Sequence, residues 1–178
     1  GSEWSVSISR AGDYLMSTWL RVCVPEVEVK NTSDASGCRI RWTRNLMHNL
    51  IEDCCITFND LVAARFDSIH LDFWTAFTVP AGKRSGYNNM IGNISDLTEP
   101  KTKLPRRWLN LPLPLFYTRD SGVALPTAAL PYNDMRIQFK FRHWEKLLVM
   151  YNRTGHTDGC GENYNPRRVE NGVLVKDP

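Results

Sequence analysis

Residues 109–115 read LNLPLPL, with leucine at every second position. That period sends side chains to one face of a β-strand, so Leu109, Leu111, Leu113 and Leu115 are expected to share a buried face. Pro112 and Pro114 occupy alternate positions, and successive N–H groups in a strand point to opposite lateral sides. Both missing donors therefore fall on the same side. That side cannot carry a regular ladder and is expected to be free, bulged or covered by a neighbour, which also blunts unwanted edge pairing. Such a segment belongs to a built sheet, not to a proline-rich linker.

Residues 134–142 show the second strong alternation. Met135, Ile137, Phe139 and Phe141 fall on one side; Arg136, Gln138, Lys140 and Arg142 fall on the other. This is a half-buried strand. Near the start, Trp4 to Ser9 alternates apolar and small polar residues, and after the Ala11-Gly12-Asp13 turn the run 14–24 places Met16, Leu20, Val22 and Val24 on one face. Pro25 ends that strand, and 31–37 (NTSDASG) is loop composition. A further strand is expected from about Asn49 to Phe58, with Asn59-Asp60 as a hairpin turn into 61–66.

The period then changes. Leu71, Trp74 and Phe77 lie near helical spacing, with Asp67 or Ser68 able to cap the start. Pro80 suits the first turn of a second short helix reaching Met90 or Ile91 and stopping at Gly92. Residues 99–107 form a charged loop, and beyond Tyr151 the Gly- and Asn-rich composition predicts exposed loop before the apolar fragment 173–175. About seven strands with short turns and one helical excursion predict an all-β chain: an antiparallel jelly-roll β-sandwich with a short helical insertion.

With 178 residues and 42% hydrophobic content, one domain with a real core is expected. A formal net charge of +3 lacks the clustered excess of a polyanion binder, so direct nucleic-acid binding is not expected. The sequence holds no uncharged apolar run of membrane-spanning length and opens without a signal-peptide core, which predicts a soluble, cytosolic product. Cys23, Cys38, Cys54, Cys55 and Cys160 form an odd, irregular set, better suited to buried reduced thiols than to a disulfide framework.

No chemistry-bearing constellation emerges. His48, His70, His143 and His156 are scattered, whereas a metal site on a jelly roll needs closely spaced histidines plus a carboxylate. His156, Asp158 and Cys160 make at most half a zinc site. Ser121 sits in RDSG, a turn rather than a nucleophile elbow. Glu52 and Asp53 are consecutive and would face opposite sides of a strand, so they cannot act as an acid–base pair. Lys101, Lys103, Arg106 and Arg107 form a basic cluster, weakly echoed by Arg167 and Arg168, in solvated loop composition. The sequons at Asn31, Asn93 and Asn152 are fortuitous without a secretory signal. No catalytic, cofactor-binding or metal residue is assigned, and no cofactor or small-molecule substrate is implied.

Five stretches in order, WSVSISRAGDYL, IRWTRNLMHNLIEDCCITFNDL, HLDFWTAF, KRSGYNNMIGNISDL and LPLPLFYTRDSGVALPTAALPYNDMRI, resemble the major capsid protein of nucleocytoplasmic large DNA viruses, most closely the iridovirus type. The resemblance covers about residues 3 to 150. It implies a non-enzymatic double jelly-roll protein, with 1–178 as its N-terminal jelly-roll portion, incomplete, and 151–178 mostly loop. It also implies a homotrimeric, pseudo-hexagonal capsomer in an icosahedral shell. The implied partners are its own copies, neighbouring capsomers and minor capsid proteins, with an internal viral membrane nearby; the implied location is the virion, assembled in host cytoplasm. By comparison with the family, a strand before WSVSIS and one after VENGVLVKDP are expected to be missing, and LPLPLF to PYNDMRI should supply two consecutive strands and their turn. The competing reading is a carbohydrate-binding jelly roll stacking sugars on Trp108 or Trp144; a jelly-roll hydrolase or dioxygenase is a third.

Overall fold

Residues 134–142 behave as their alternation requires. They form β9 (Met135–Phe141), an interior strand of a four-stranded antiparallel sheet in which β9 lies between β1 (Glu3–Ser7) and β5 (Ile51–Phe58), with β6 (Leu61–Phe66) at the far edge. Met135, Ile137 and Phe139 are buried. The register sets Ile137 opposite Ile56 and Val6, and Phe139 opposite Cys54 and Trp4, so one face of the sheet is apolar across all three strands. The other face is polar, with Asp53 receiving the Arg65 guanidinium at 2.6 Å and Glu52 facing Lys140 at 3.7 Å. The computed structural model describes residues 2–29, 38–130 and 134–151 with their side chains, and only the backbone of 152–153, 164–167, 169–170 and 173–174.

The second layer is built from shorter pieces. β2 (Trp19–Val24) and β3 (Val27–Glu28) pair with β8 (Arg107–Pro112) and β7 (Lys103–Leu104). Lys101 and Ile40 exchange two backbone bonds of 2.9 and 2.8 Å, joining this ribbon to β4 (Arg39–Trp42). β4 pairs with β10 (Leu148–Arg153), and β10 with β11 (Tyr164–Arg167); β12 (Val169–Glu170) and β13 (Val173–Leu174) make a separate hairpin. A single apolar cluster joins Leu109, Leu111, Leu113 and Leu115 from one layer to Ile56, Ile137 and Phe139 from the other. Two antiparallel sheets enclosing one core form the expected sandwich.

The LNLPLPL stretch is read correctly on one count and too long on another. All four leucines are almost completely buried. The strand, however, stops at Pro112, and a 3-10 turn at Phe116–Thr118 follows. Leu113 donates its N–H to Thr18 at 3.0 Å, so the odd-numbered amides face β2 and those of the prolines would face away. On that far side no strand pairs among the described residues; α1 (Leu46–Leu50) and α3 (Ala81–Ile91) pack against β8 instead. Among residues 113–130 the described structure is 3-10 turns and one bridge, Leu15 to Leu125, so a second strand immediately after RDSG is not formed. The prolines and the turn residues break up the ladder there.

Turn and cap chemistry explains the rest. Asn59 and Asp60 both take positive φ, 50° and 65°, as a two-residue primed turn between β5 and β6 demands. Asp67 caps α2 (Ser68–Thr78) by accepting the His70 N–H at 2.7 Å. Gly92 ends α3 at φ 83°, and a Cβ there would lie 2.8 Å from Leu109 Cδ1. Two expectations need correction. β5 starts at Ile51, because Leu46–Leu50 is helical. β2 is confined to Trp19–Val24, leaving Met16 exposed. Trp4 and Val6, on the core-facing side of β1, are 63% and 53% exposed, with nothing among the described residues covering that edge of the sheet. Residues 31–37 and 154–163, where loops are expected, lie outside the described residues, and the loop expected beyond Tyr151 gives way to strand β11 at 164–167.

Two stability outcomes are expected. Phe139→Ala should destabilise the chain by about 3 to 5 kcal/mol, since the ring is buried in the interior strand. Gly92→Ala should cost about 1 to 3 kcal/mol through the left-handed backbone and the Leu109 contact. Pulse proteolysis across a urea series measures both, with Lys140→Ala, on the polar face, expected to change stability by less than about 1 kcal/mol.

Candidate assembly surface

The residues that sequence patterns single out for chemistry do not converge. Among the described residues no group of three or more potential metal ligands is present. Ser121 lies in a 3-10 turn at Ser121–Val123, where the Asp120 carboxylate accepts from the Gly122 N–H at 3.2 Å, and the Arg119 guanidinium lies 5.2 Å from the Trp74 ring centroid; the RDSG segment is a turn. Glu52 and Asp53 each pair with a cation on a different strand. Lys101 and Arg107 both reach Asp96, at 3.0 and 3.8 Å, and Lys103 reaches Glu26 at 2.8 Å. Arg106 donates instead to Cys23 Sγ at 3.1 Å, so three of the four cations are matched by carboxylates and the cluster is not gathered into a phosphate-binding groove. His156, Asp158, Cys160, Asn31 and Arg168 lie outside the described residues.

One polar cluster was not anticipated. His48, in the short helix α1, is 1% exposed. Its Nδ1 lies 2.5 Å from Asp72 Oδ1 on α2 and its Nε2 lies 2.7 Å from the Tyr87 hydroxyl on α3. Asn45 also donates to Asp72 Oδ1, at 3.1 Å. A carboxylate only accepts, so Nδ1 carries the proton and Nε2 accepts from the Tyr87 O–H. Burial keeps the phenol well above its usual range and so protonated, and pushes the imidazole below its own despite the opposing pull of Asp72. The sole local hint was a histidine inside the apolar run NLMHNL; Asp72 and Tyr87 are distant in sequence and carry no signal of their own.

The outer surface is more telling than any cavity. Trp4 and Val6 extend the apolar face of the first sheet beyond its cover. On the outward face of the β2–β8 pair, Trp19 and Trp108 are each about half exposed. On α2, Ile69, Phe73 and Phe77 point outward at i, i+4 and i+8, with the two phenyl rings 4.8 Å apart. Leu61 and Val62 are exposed at the tip of the β5–β6 hairpin. Isolated apolar residues on a surface mean little, but an open core edge, a helix stripe and a pair of indoles together mark surfaces made to be covered. The indoles are poorly arranged for sugars: the Arg21 guanidinium lies 4.5 Å from the Trp108 ring centroid, and Trp144, on a separate 3-10 turn, leans on His143. No helix among the described residues is long and apolar enough to cross a membrane.

Comparison with known proteins agrees with this surface. Residues 1–165 match the family model described as the major capsid protein N-terminus. Over 162 residues the chain is 63% identical to the major capsid protein of Invertebrate iridescent virus 6, covering 85% of this chain and 34% of that one. Over 158 residues it is 63% identical to the major capsid protein of Wiseana iridescent virus, covering 85% and 32%. The chain thus spans about a third of the length of these relatives. In fold it resembles VP54 of PBCV-1, as fitted into a reconstruction of the virophage Sputnik, with a TM-score of 0.66 at 18% identity, covering 91% of this chain and 36% of that one. The jelly-roll sandwich, the uncovered apolar edge and a match running through nearly every described element lead to one conclusion: the chain belongs to the family of the major capsid protein N-terminus.

Proposed function

We propose that residues 1–178 are the N-terminal jelly-roll module of a major capsid protein, a structural subunit of a large DNA virus particle. It acts by being covered, and no side chain in it performs catalysis. The observation that carries this reading is the exposed core-facing edge at Trp4 and Val6, taken together with the 63% identity to iridovirus capsid proteins three times its length. In the full polypeptide a second jelly roll stands beside this one, and three copies close into a pseudo-hexagonal capsomer whose neighbours are other capsomers and minor capsid proteins of the virion.

Physical cost supports the reading. A sheet that ends with its apolar face open leaves backbone groups unpaired and side chains wet. Fully burying a large apolar side chain is worth about 1.5 to 3 kcal/mol, against a net domain stability of about 5 to 15 kcal/mol. Strand addition at the free edges is the natural remedy, because it supplies main-chain partners and a cover for alternate side chains at once.

Light scattering tests this directly. The isolated 178-residue chain is expected to associate at micromolar concentration, and a polypeptide of the relatives' full length is expected to run as a trimer. A monomeric short chain that unfolds cooperatively would overturn the account of the open edge. Replacing Trp4 and Val6 with threonine should reduce association of the short chain without changing its far-ultraviolet circular dichroism.

A further inference from the structure

The open edge of the first sheet has the form of one half of a pair. Ile8 donates its N–H to Met135 and Phe141 donates its N–H to Ser2, both at 2.8 Å, so the even-numbered residues of β1 make the hydrogen-bonded pairs with β9. The N–H and C=O groups of Glu3, Ser5 and Ser7 therefore point the other way, to a side where no strand pairs among the described residues. Other edges are blunted. The β5–β6 register shifts beside Ile56, leaving Ala63 as an extra residue in the middle of β6, and the prolines at 112 and 114 deny β8 a ladder on its far side. β1 carries neither device. We propose that β1 accepts β1 of a second copy, antiparallel about a two-fold axis at Ser5, so that two four-stranded sheets become one continuous sheet. This names the partner of the open edge and rests on the reading that the edge is made to be covered.

The strand is complementary to itself in that register. With Ser5 on the axis, Glu3 faces Ser7 of the second copy, Ser5 faces Ser5, and Trp4 faces Val6. The outward-pointing groups of Glu3, Ser5 and Ser7 then meet one another, and each of these pairs exchanges both main-chain bonds. Trp4 and Val6 fall at the non-hydrogen-bonded positions, where side chains approach closest, and an aromatic ring on a β-branched residue is a favourable cross-strand pair. That pair forms on both sides of the axis, on the apolar face, where Trp4 is 63% and Val6 53% exposed, so each copy covers what the other leaves wet. On the polar face the order across the joint is Lys140, Glu3, then Ser7 and Arg136 of the second copy. No like charges meet, and each carboxylate sits between cations.

Other arrangements lose something. Sliding the copies by two residues sets Trp4 against Trp4 or Val6 against Val6 and strips main-chain partners from one end of each strand. Pairing β1 with β6 of the next copy meets the extra residue at Ala63, which interrupts the ladder midway. The two-fold joint also closes at two copies, since the same surface serves both. Nothing among the described residues of the second layer covers Trp4 and Val6, which leaves room for the two second layers to lie side by side on the same face.

Analytical ultracentrifugation of the 178-residue chain is expected to show a monomer–dimer equilibrium in the micromolar range. Ser5→Pro removes the central outward donor while leaving the β9 ladder its own, and should weaken the dimer at least about tenfold with circular dichroism unchanged. Cross-linking reads the register. In a chain with Cys23 and Cys160 replaced by serine, Ser5→Cys should form a disulfide-linked dimer on oxidation with diamide, because directly opposed residues of a hydrogen-bonded pair have Cα atoms about 5.5 Å apart. Glu3→Cys and Ser7→Cys should each stay uncoupled alone and couple when mixed. Should Ser5→Pro fail to fold, the cysteine variants still decide. Association that is indifferent to Ser5→Pro in a folded chain, association without the Ser5→Cys cross-link, coupling of Glu3→Cys alone, or a trimer or open-ended polymer in place of the dimer would each overturn the pairing and leave the capsid-module reading standing. A chain that stays monomeric would overturn the pairing and the account of the open edge together.

Discussion

The apolar face of β9 is the constraint from which the rest follows. Met135, Ile137 and Phe139 are held between β1 and β5, and the leucine row of 109–115 closes over the same core from the other layer. Strict alternation makes the register unforgiving, because a slip by one residue would send Arg136, Gln138 and Lys140 inward. Once that register is set, the position of Trp4 on β1 is no longer free. It must continue the apolar face, and it does so where the second layer offers it no cover. The open edge is therefore a consequence of the same pattern that makes the core.

Legibility in the sequence tracks how local the physics is. The alternation at 134–142, the Asn59-Asp60 turn, the Asp67 cap and the Gly92 stop are each decided within a few residues, and each is found where expected. Strand ends were harder. β2 was drawn through Met16 because periodicity continues there, but pairing with β8 ends at Trp19 opposite Pro112. Asn49 and Leu50, the end of α1, read as the start of β5, since so short a stretch carries no period of its own. β4 and β10 carry Arg41, Arg39 and Asn152 among their apolar residues and take their place from pairing with each other rather than from any strong pattern.

What the sequence could not supply was the meeting of distant residues. His48, Asp72 and Tyr87 come from three helices, and each has an ordinary local role: a histidine in an apolar run, an acid on a helix surface, a tyrosine in a second helix. The resemblance to capsid proteins rested on long ordered motifs and so reached the family directly. It said nothing about the network between the helices, which joins a buried histidine to a partly exposed carboxylate and a half-buried tyrosine.

The prolines at 112 and 114 have a mechanical consequence. Where two strands adjoin, hydrogen bonds index every residue against a neighbour, and motion along the strand costs several bonds at once. On the side of the segment away from β2 that indexing is absent, and the helices facing it meet it through side chains around a cavity of about 300 Å³ that Pro112, Pro114, Leu71, Trp74 and Tyr87 help to line. The junction is a slip plane. Small displacements of the helical corner can be taken up there by side-chain packing, leaving the hydrogen-bonded sheets undeformed.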